Sequence, residues 1–297
     1  VAACFRRKAI VLFKVDPESG NLKRSSMATS IDDDNQPMSF PIEATFSNDS
    51  KFVHALDPSL KRGTATGAVI TFKVTDDTTL EWVDTNTGIQ VEQQGRPVSC
   101  FNGARGIALH PDGQRMFVIA EGSSTLTALD RDAETGATKI IYTATNGEDG
   151  IRGLSGGFAV TCSSDGEFVY TSSGRFRGNN AVGVFRIAPN GRLRVVQEFI
   201  DGENDLEGFE GGNEIVASPD GLYVYAAGTR SFTVAGFKRE PSTGKLTLVR
   251  TESVGAVDGE SLGPSGVSLS PDGRFLYIAS ETAGEVLVYR LDTLKSE

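Results

Sequence analysis

Apolar residues in this chain come in short bursts divided by tight polar turns, and no stretch of useful length repeats at the helical period. The stretch from Gly212 to Thr251 shows the pattern best. Ile215-Val216-Ala217 is a small apolar run. Pro219-Asp220-Gly221 is a turn, in which Pro presets φ and Gly accepts a positive one. Tyr223-Val224-Tyr225-Ala226 is aromatic and branched, as a half-buried strand requires. Gly228-Thr229-Arg230 leads into Phe232–Phe237, and Pro241-Ser242-Thr243-Gly244 turns the chain into Leu246–Val249. The pattern predicts four antiparallel strands, with the smallest residues on the first.

The unit repeats. Ser47-Asn48-Asp49-Ser50, His110-Pro111-Asp112-Gly113, Ser163-Ser164-Asp165-Gly166, Ser218-Pro219-Asp220-Gly221 and Ser270-Pro271-Asp272-Gly273 each precede a short aromatic strand, with aspartates 63, 53, 55 and 52 residues apart. Self-similarity on this scale marks a repeat architecture. Four-stranded units with Ala and Gly on the first strand predict an all-β fold, a β-propeller of antiparallel four-stranded blades. Its six readable blades fall near 1–35, 36–87, 98–145, 152–200, 211–252 and 263–297, forming one propeller domain over 1–297. Two columns are predicted to pack between blades. One holds His54, Phe117, Tyr170, Tyr225 and Tyr277; the other holds Phe13, Phe72, Leu129, Phe185, Phe237 and Tyr289. Both end blades read as three-stranded, which predicts a stretch of a longer parent chain with room for a seventh blade.

Charge narrows the partners. The net charge of −10 speaks against nucleic acid and anionic membrane surfaces. No apolar run suits membrane insertion, and no signal peptide is present in this stretch. Cys4, Cys100 and Cys162 are far apart and predict buried free thiols. With only His54 and His110 beside them, no zinc site is offered. Both histidines read as structural. The Asn48-Asp49-Ser50 sequon falls on a turn that already explains its polar residues.

Strand parity puts the loops leading into the inner strands on the same face as the loops between second and third strands. The first set is acidic: 31–35, 146–150, 201–205 and 257–260. The second carries Glu121, Arg175, Arg177, Arg230 and Glu281. This face is the predicted site, because loops carry function on a scaffold. The plainer alternative is a solvated acidic rim. Within it, Glu203, Asp205, Glu207 and Glu214 fall at positions 1, 3, 5 and 12 of a calcium-loop pattern, with Gly208 at 6. Glu stands at positions 1 and 5 where shorter residues are usual, and no flanking helices are predicted. Calcium is the one cofactor expectation.

Ser270–Glu281, followed by Val286-Leu287-Val288-Tyr289, resembles the lactonase-type β-propeller repeats related to bacterial 6-phosphogluconolactonase and fungal carboxymuconate-lactonising enzyme. Arg239–Leu246 resembles that family's turn between third and fourth strands. The resemblance covers nearly the whole chain. Enzymes of the family often carry Gly-Pro-Arg-His before an inner strand, with Glu and Arg at second-strand ends. Here Gly103-Ala104-Arg105-Gly106 keeps the Arg and has Gly106 in place of the His, Gly263-Pro264-Ser265-Gly266 keeps only Gly-Pro, and Glu121 and Arg175 fall near the strand ends. Glu148-Asp149-Gly150-Ile151-Arg152-Gly153-Leu154 is similar instead to long bacterial surface or secreted proteins with tandem propeller repeats.

Two expectations follow. The first is a non-catalytic binding or adhesion module of a larger extracellular or cell-surface protein, taking a protein or glycan ligand on a face that includes Arg177, Arg230 and Glu281. The second is a lactone hydrolase, in which Arg105 holds the substrate carboxylate or carbonyl, Glu121 acts as base and Arg175 assists.

Overall fold

The computed structural model describes residues 1–4, 7–29, 38–58, 67–75, 79–93, 96–203, 206–254, 263–280 and 284–291. They form a six-bladed β-propeller of antiparallel sheets. Blade one is β1 (Ala2–Cys4), β2 (Ala9–Val15) and β3 (Leu22–Thr29). Blade two is β4 (Glu43–Phe46), β5 (Phe52–Asp57), β6 (Ala68–Thr75) and β7 (Thr79–Asn86). A separate hairpin follows, β8 (Ile89–Gln93) with β9 (Arg96–Ser99). Blade three is β10 (Ala104–Leu109), β11 (Arg115–Ala120), β12 (Thr125–Arg131) and β13 (Thr138–Thr145). Blade four is β14 (Gly157–Cys162), β15 (Phe168–Ser173), β16 (Ala181–Ile187) and β17 (Leu193–Ile200). Blade five is β18 (Gly212–Ala217), β19 (Tyr223–Gly228), β20 (Thr233–Arg239) and β21 (Leu246–Ser253). Blade six is β22 (Pro264–Leu269), β23 (Phe275–Ser280) and β24 (Glu285–Arg290). The strand pairs read from the sequence agree with these; the β8–β9 hairpin is an addition. No helix among the described residues is long and apolar enough to cross a membrane.

The repeated turn owes its geometry to three residues. In blade four the Ser163 hydroxyl donates to Asp165 Oδ1 (2.6 Å) and accepts from the Phe168 amide (3.0 Å), which ties the turn to the strand it launches. Blade five repeats this with Ser218, Asp220 and Tyr223. The fourth residue needs a positive φ, which Gly supplies in four turns and Ser50 adopts in the fifth.

Two compact units divide the chain, Val1–Thr143 and Ala144–Glu297. In the first, Ile10, Val53, Ile70 and Phe72 form one apolar seam, and Leu56, Val69, Ile107, Met116 and Leu129 form the next. In the second, Phe168, Tyr170, Val184, Ile215 and Phe237 join blades four and five. Tyr225, Val254, Val267, Leu276 and Ile278 join blades five and six. Burying one such side chain contributes about 1.5–3 kcal/mol. The predicted packing columns are buried at His54, Phe117, Tyr170 and Tyr225, and at Phe72, Leu129, Phe185 and Phe237. Tyr277 is a correction: it is 38% exposed. The thiols are free, but only Cys100 is buried; Cys4 and Cys162 lie near strand ends and stay partly exposed.

Candidate functional site

The inner strands of blades three to six begin with the same irregularity. Their pairing with the second strand slips by one residue, at Ala104/Gly106, Gly157/Ala159, Gly212/Glu214 and Pro264/Gly266. A bulge of this kind re-aims one side chain out of the ladder. The re-aimed residues are Arg105, Phe158, Asn213 and Ser265.

In the first unit, the Arg105 guanidinium meets Glu121, which immediately follows β11. Arg105 Nε and Nη2 lie 2.9 and 2.8 Å from Glu121 Oε2. The Glu121 side chain is 8% exposed and that of Arg105 26%, so the carboxylate is enclosed while the guanidinium presents an edge to solvent. The Glu121 amide donates to Gly103 O (2.9 Å), which fixes the strand end against the start of β10. Gly106 is buried beside this pair, with no side chain to add.

In the second unit, Arg175 follows β15 by two residues. Its Nη1 donates to Thr229 Oγ1 (3.2 Å), and the Thr229 hydroxyl donates to Pro264 O (2.7 Å). The guanidinium carbon stands 5.5 Å from the Phe158 ring centre and 5.2 Å from that of Phe176. Those rings meet edge to face at 5.6 Å. Arg177 and Arg230 are exposed, and Arg230 Nη2 donates to Asn180 Oδ1 (3.1 Å). Glu281 lies outside the described residues.

Three of the four residues of the calcium pattern are described. Glu203 pairs with Arg152 (2.9 Å), Glu207 is exposed, and Glu214 lies in β18. Asp205 lies outside the described residues. Among the described residues, no three His, Cys, Asp or Glu side chains gather as a metal site would require. Burial instead pushes the Glu214 carboxyl up to about 7, against a single hydrogen bond from the Ile215 amide (3.3 Å). Both histidines are structural in their contacts. His54 Nδ1 meets Thr71 Oγ1 (3.0 Å) in the blade-two core, and His110 pairs with Asp112 in its turn (2.8 Å).

Residues 69–258 match the family described as lactonase, 7-bladed beta-propeller. The chain belongs to that family. A 6-phosphogluconolactonase of Bacillus subtilis is 26% identical to it over 163 residues, 54% of this chain and 44% of that one. The matched stretch spans 40 to 44% of the length of such curated relatives. The periplasmic gluconolactonase PpgL of Pseudomonas aeruginosa superposes with a TM-score of 0.70 at 19% identity, covering 96% of this chain and 76% of that one. Hydrazine synthase of Kuenenia stuttgartiensis superposes at 0.62 with 18% identity, over 94% and 77%. The last comparison shows how little the fold alone says of activity. Of the two expectations from sequence, these relatives favour the hydrolase over the binding module.

Sequence reading missed Phe158, Asn213 and Thr229, which stand at or beside these inner-strand bulges and strand ends. Phe158 and Asn213 had a signal available: each stands at the same inner-strand position as Arg105.

Proposed function

We propose that this protein hydrolyses a small-molecule lactone. The observation that carries the reading is the Arg105–Glu121 pair, a guanidinium presented at an inner-strand bulge and fixed by an enclosed carboxylate. The family relationship supports the reaction class. An ester carbonyl gains negative charge on its oxygen as water adds to carbon, and a preoriented guanidinium stabilises that charge. Arg105 takes that role, or binds a carboxylate of the substrate. Glu121 accepts two of its N–H groups and sets its direction, and in this reading its role is positioning, where the sequence expectation made it the base.

The test is hydrolysis of a panel of sugar and aliphatic lactones by pure protein, followed by pH-stat. Turnover well above the buffer rate that is lost in Arg105→Ala supports the reading. A rate equal to buffer across the panel overturns it and returns the search to protein and glycan ligands.

A further inference from the structure

Two arginines at the ends of third strands, Arg239 in β20 and Arg131 in β12, are held in matching frames that differ at one corner. In the second unit, Arg239 Nη2 closes on Asp165, Nη1 donates to Gly221 O (2.8 Å) and Nε donates to the Tyr170 hydroxyl (2.7 Å). That hydroxyl in turn points at Gly244 O, 3.5 Å away. Phe168, two residues before Tyr170 and on the same strand face, carries the guanidinium at 5.2 Å. The first unit builds the same frame. Arg131 Nη2 lies 3.2 Å from both oxygens of Asp49, Nη1 donates to Gly113 O (2.8 Å), and the guanidinium stands 5.1 Å from the Phe52 ring centre. Gly136 takes the place of Gly244. Each has a positive φ, and each amide donates at 2.8 Å to the carbonyl four residues back, Asp132 O and Glu240 O. A side-chain carbon on either would run into the ring, Phe52 or Phe168.

His54 stands where Tyr170 would. Both follow the ring by two residues, and they pair across the ladder with Thr71 and Val184. His54 is fully buried, and its Nδ1 meets Thr71 Oγ1 (3.0 Å). An imidazole is shorter than a phenol, so Nε2 stops short of the point that a tyrosine oxygen reaches. Among the described residues, neither His54 Nε2 nor Arg131 Nε has a hydrogen-bond partner, and both atoms are shut off from solvent. Buried polar atoms left unpaired are costly and rare. The corner between them is one that a single hydroxyl oxygen fills in the sister frame. By the same correspondence, Gly136 O faces it as a third polar group. About three such partners are usual for a buried water. A cation there would meet the guanidinium, and an anion would meet the Asp49 carboxylate and the Gly136 carbonyl. A neutral molecule that both donates and accepts is what the corner suits.

We propose that this corner is a binding site for one ordered water, which accepts from Arg131 Nε, bonds His54 Nε2 and donates to Gly136 O in the manner of the Tyr170 hydroxyl. Water serves either tautomer of His54, because it can donate to a bare ring nitrogen or accept from a protonated one. The water lets blade two carry a histidine in a tyrosine position while Arg131 keeps the hold that Arg239 has on its own neighbour. The inference is independent of the hydrolase reading.

The experiment is a high-resolution crystal structure of the wild-type protein, with diffraction also collected at a long wavelength, beside that of His54→Tyr/Thr71→Val. The double change rebuilds the Tyr170–Val184 pair in blade two. The expected wild-type map shows one oxygen-sized peak within about 2.7–3.2 Å of both His54 Nε2 and Arg131 Nε, with no anomalous signal. The expected variant map has no such peak, and the new tyrosine hydroxyl accepts from Arg131 Nε. A wild-type map without the peak overturns the inference, and so does a peak whose anomalous signal marks chloride. A water that persists beside the new hydroxyl overturns it as well. If the variant does not fold, the wild-type map decides alone.

Discussion

Arg239 at the end of β20 reaches into the neighbouring blade and closes on Asp165, the aspartate of that blade's repeated turn, at 2.5 Å. Its side chain is only 2% exposed. Nε donates to the Tyr170 hydroxyl (2.7 Å), Nη1 to Gly221 O (2.8 Å), and the guanidinium stacks over Phe168 at 5.2 Å. The first unit repeats the arrangement with Arg131, Asp49, Gly113 O and Phe52. One residue thus ties two turns and an aromatic together across a seam. Arg239→Ala removes the guanidinium and leaves a carboxylate and a carbonyl short of donors. Because Asp165 is 38% exposed, water recovers part of the loss. The expected cost is about 2–3 kcal/mol, below the range for a fully buried pair. Urea unfolding of wild type and variant measures it, and a change below 0.5 kcal/mol (about the scatter for surface substitutions) would contradict it.

His54 makes folding sensitive to acid. Burial, followed by the charge of Arg131, pulls its imidazolium down to about 3 from the usual 6.5. Between those values the unfolded chain binds a proton that the native one does not, so stability rises with pH across that window and is lost as acid is added. His54→Phe suits a column that already holds Phe117 and Tyr170. Its melting temperature is expected to fall less than that of wild type between pH 6.5 and 4, on a matched buffer series.

Glu214 acts with the opposite sign. Its carboxyl is raised from 4.5 to about 7, so the native state holds a proton that the unfolded state has released between those values. Stability contributed by this group is complete below 4.5, declines as pH rises and levels above 7, by on the order of 1–3 kcal/mol. Glu214→Gln is expected to remove that decline. The difference between variant and wild-type unfolding free energies at pH 4.5 and pH 7.5 isolates the effect from that of His54.

Arg105 and Glu121 are expected to fail differently. Arg105→Ala lowers kcat/KM for a lactone by about 10²–10³, the size seen when one oxyanion donor is removed. Glu121→Gln keeps a hydrogen bond to Arg105 and loses the charge, for a loss of about 10-fold or more. Equal effects from the two variants would remove the distinction between binding and positioning roles.

The thiols are expected to divide by burial. Burial raises the Cys100 thiol above its ordinary value, while Cys4 and Cys162 keep partial exposure. Native protein treated with a chromogenic disulfide is expected to titrate two thiols well before the third. A Cys100→Ala variant that still shows a slow phase would refute the assignment.

The strands, turns and blades were legible because their causes are short-range. Ser163 and Asp165 close a turn within two residues, Gly166 takes the positive φ, and alternating runs such as Tyr223–Ala226 need only their own pattern to be strands. Repetition then multiplied each local signal into a fold. The family, too, was readable from phrases of this length. The site was legible only in part. Arg105 and Glu121 were recognisable as types at a strand start and a strand end, but their contact depends on a one-residue slip in the β10–β11 ladder. Glu214 was readable as a position counted from Glu203, while its place beside Ala227 depends on the slip in the β18–β19 ladder. Tyr277 matched a buried column by spacing and is 38% exposed, since spacing along the chain does not say what packs on a side chain. Sequence by itself determined where the backbone turns and which residues can pack, since those depend on neighbours in the chain. Tertiary structure alone decided which charges meet and which carboxyl is deprived of water, since both depend on atoms brought together from blades dozens of residues apart.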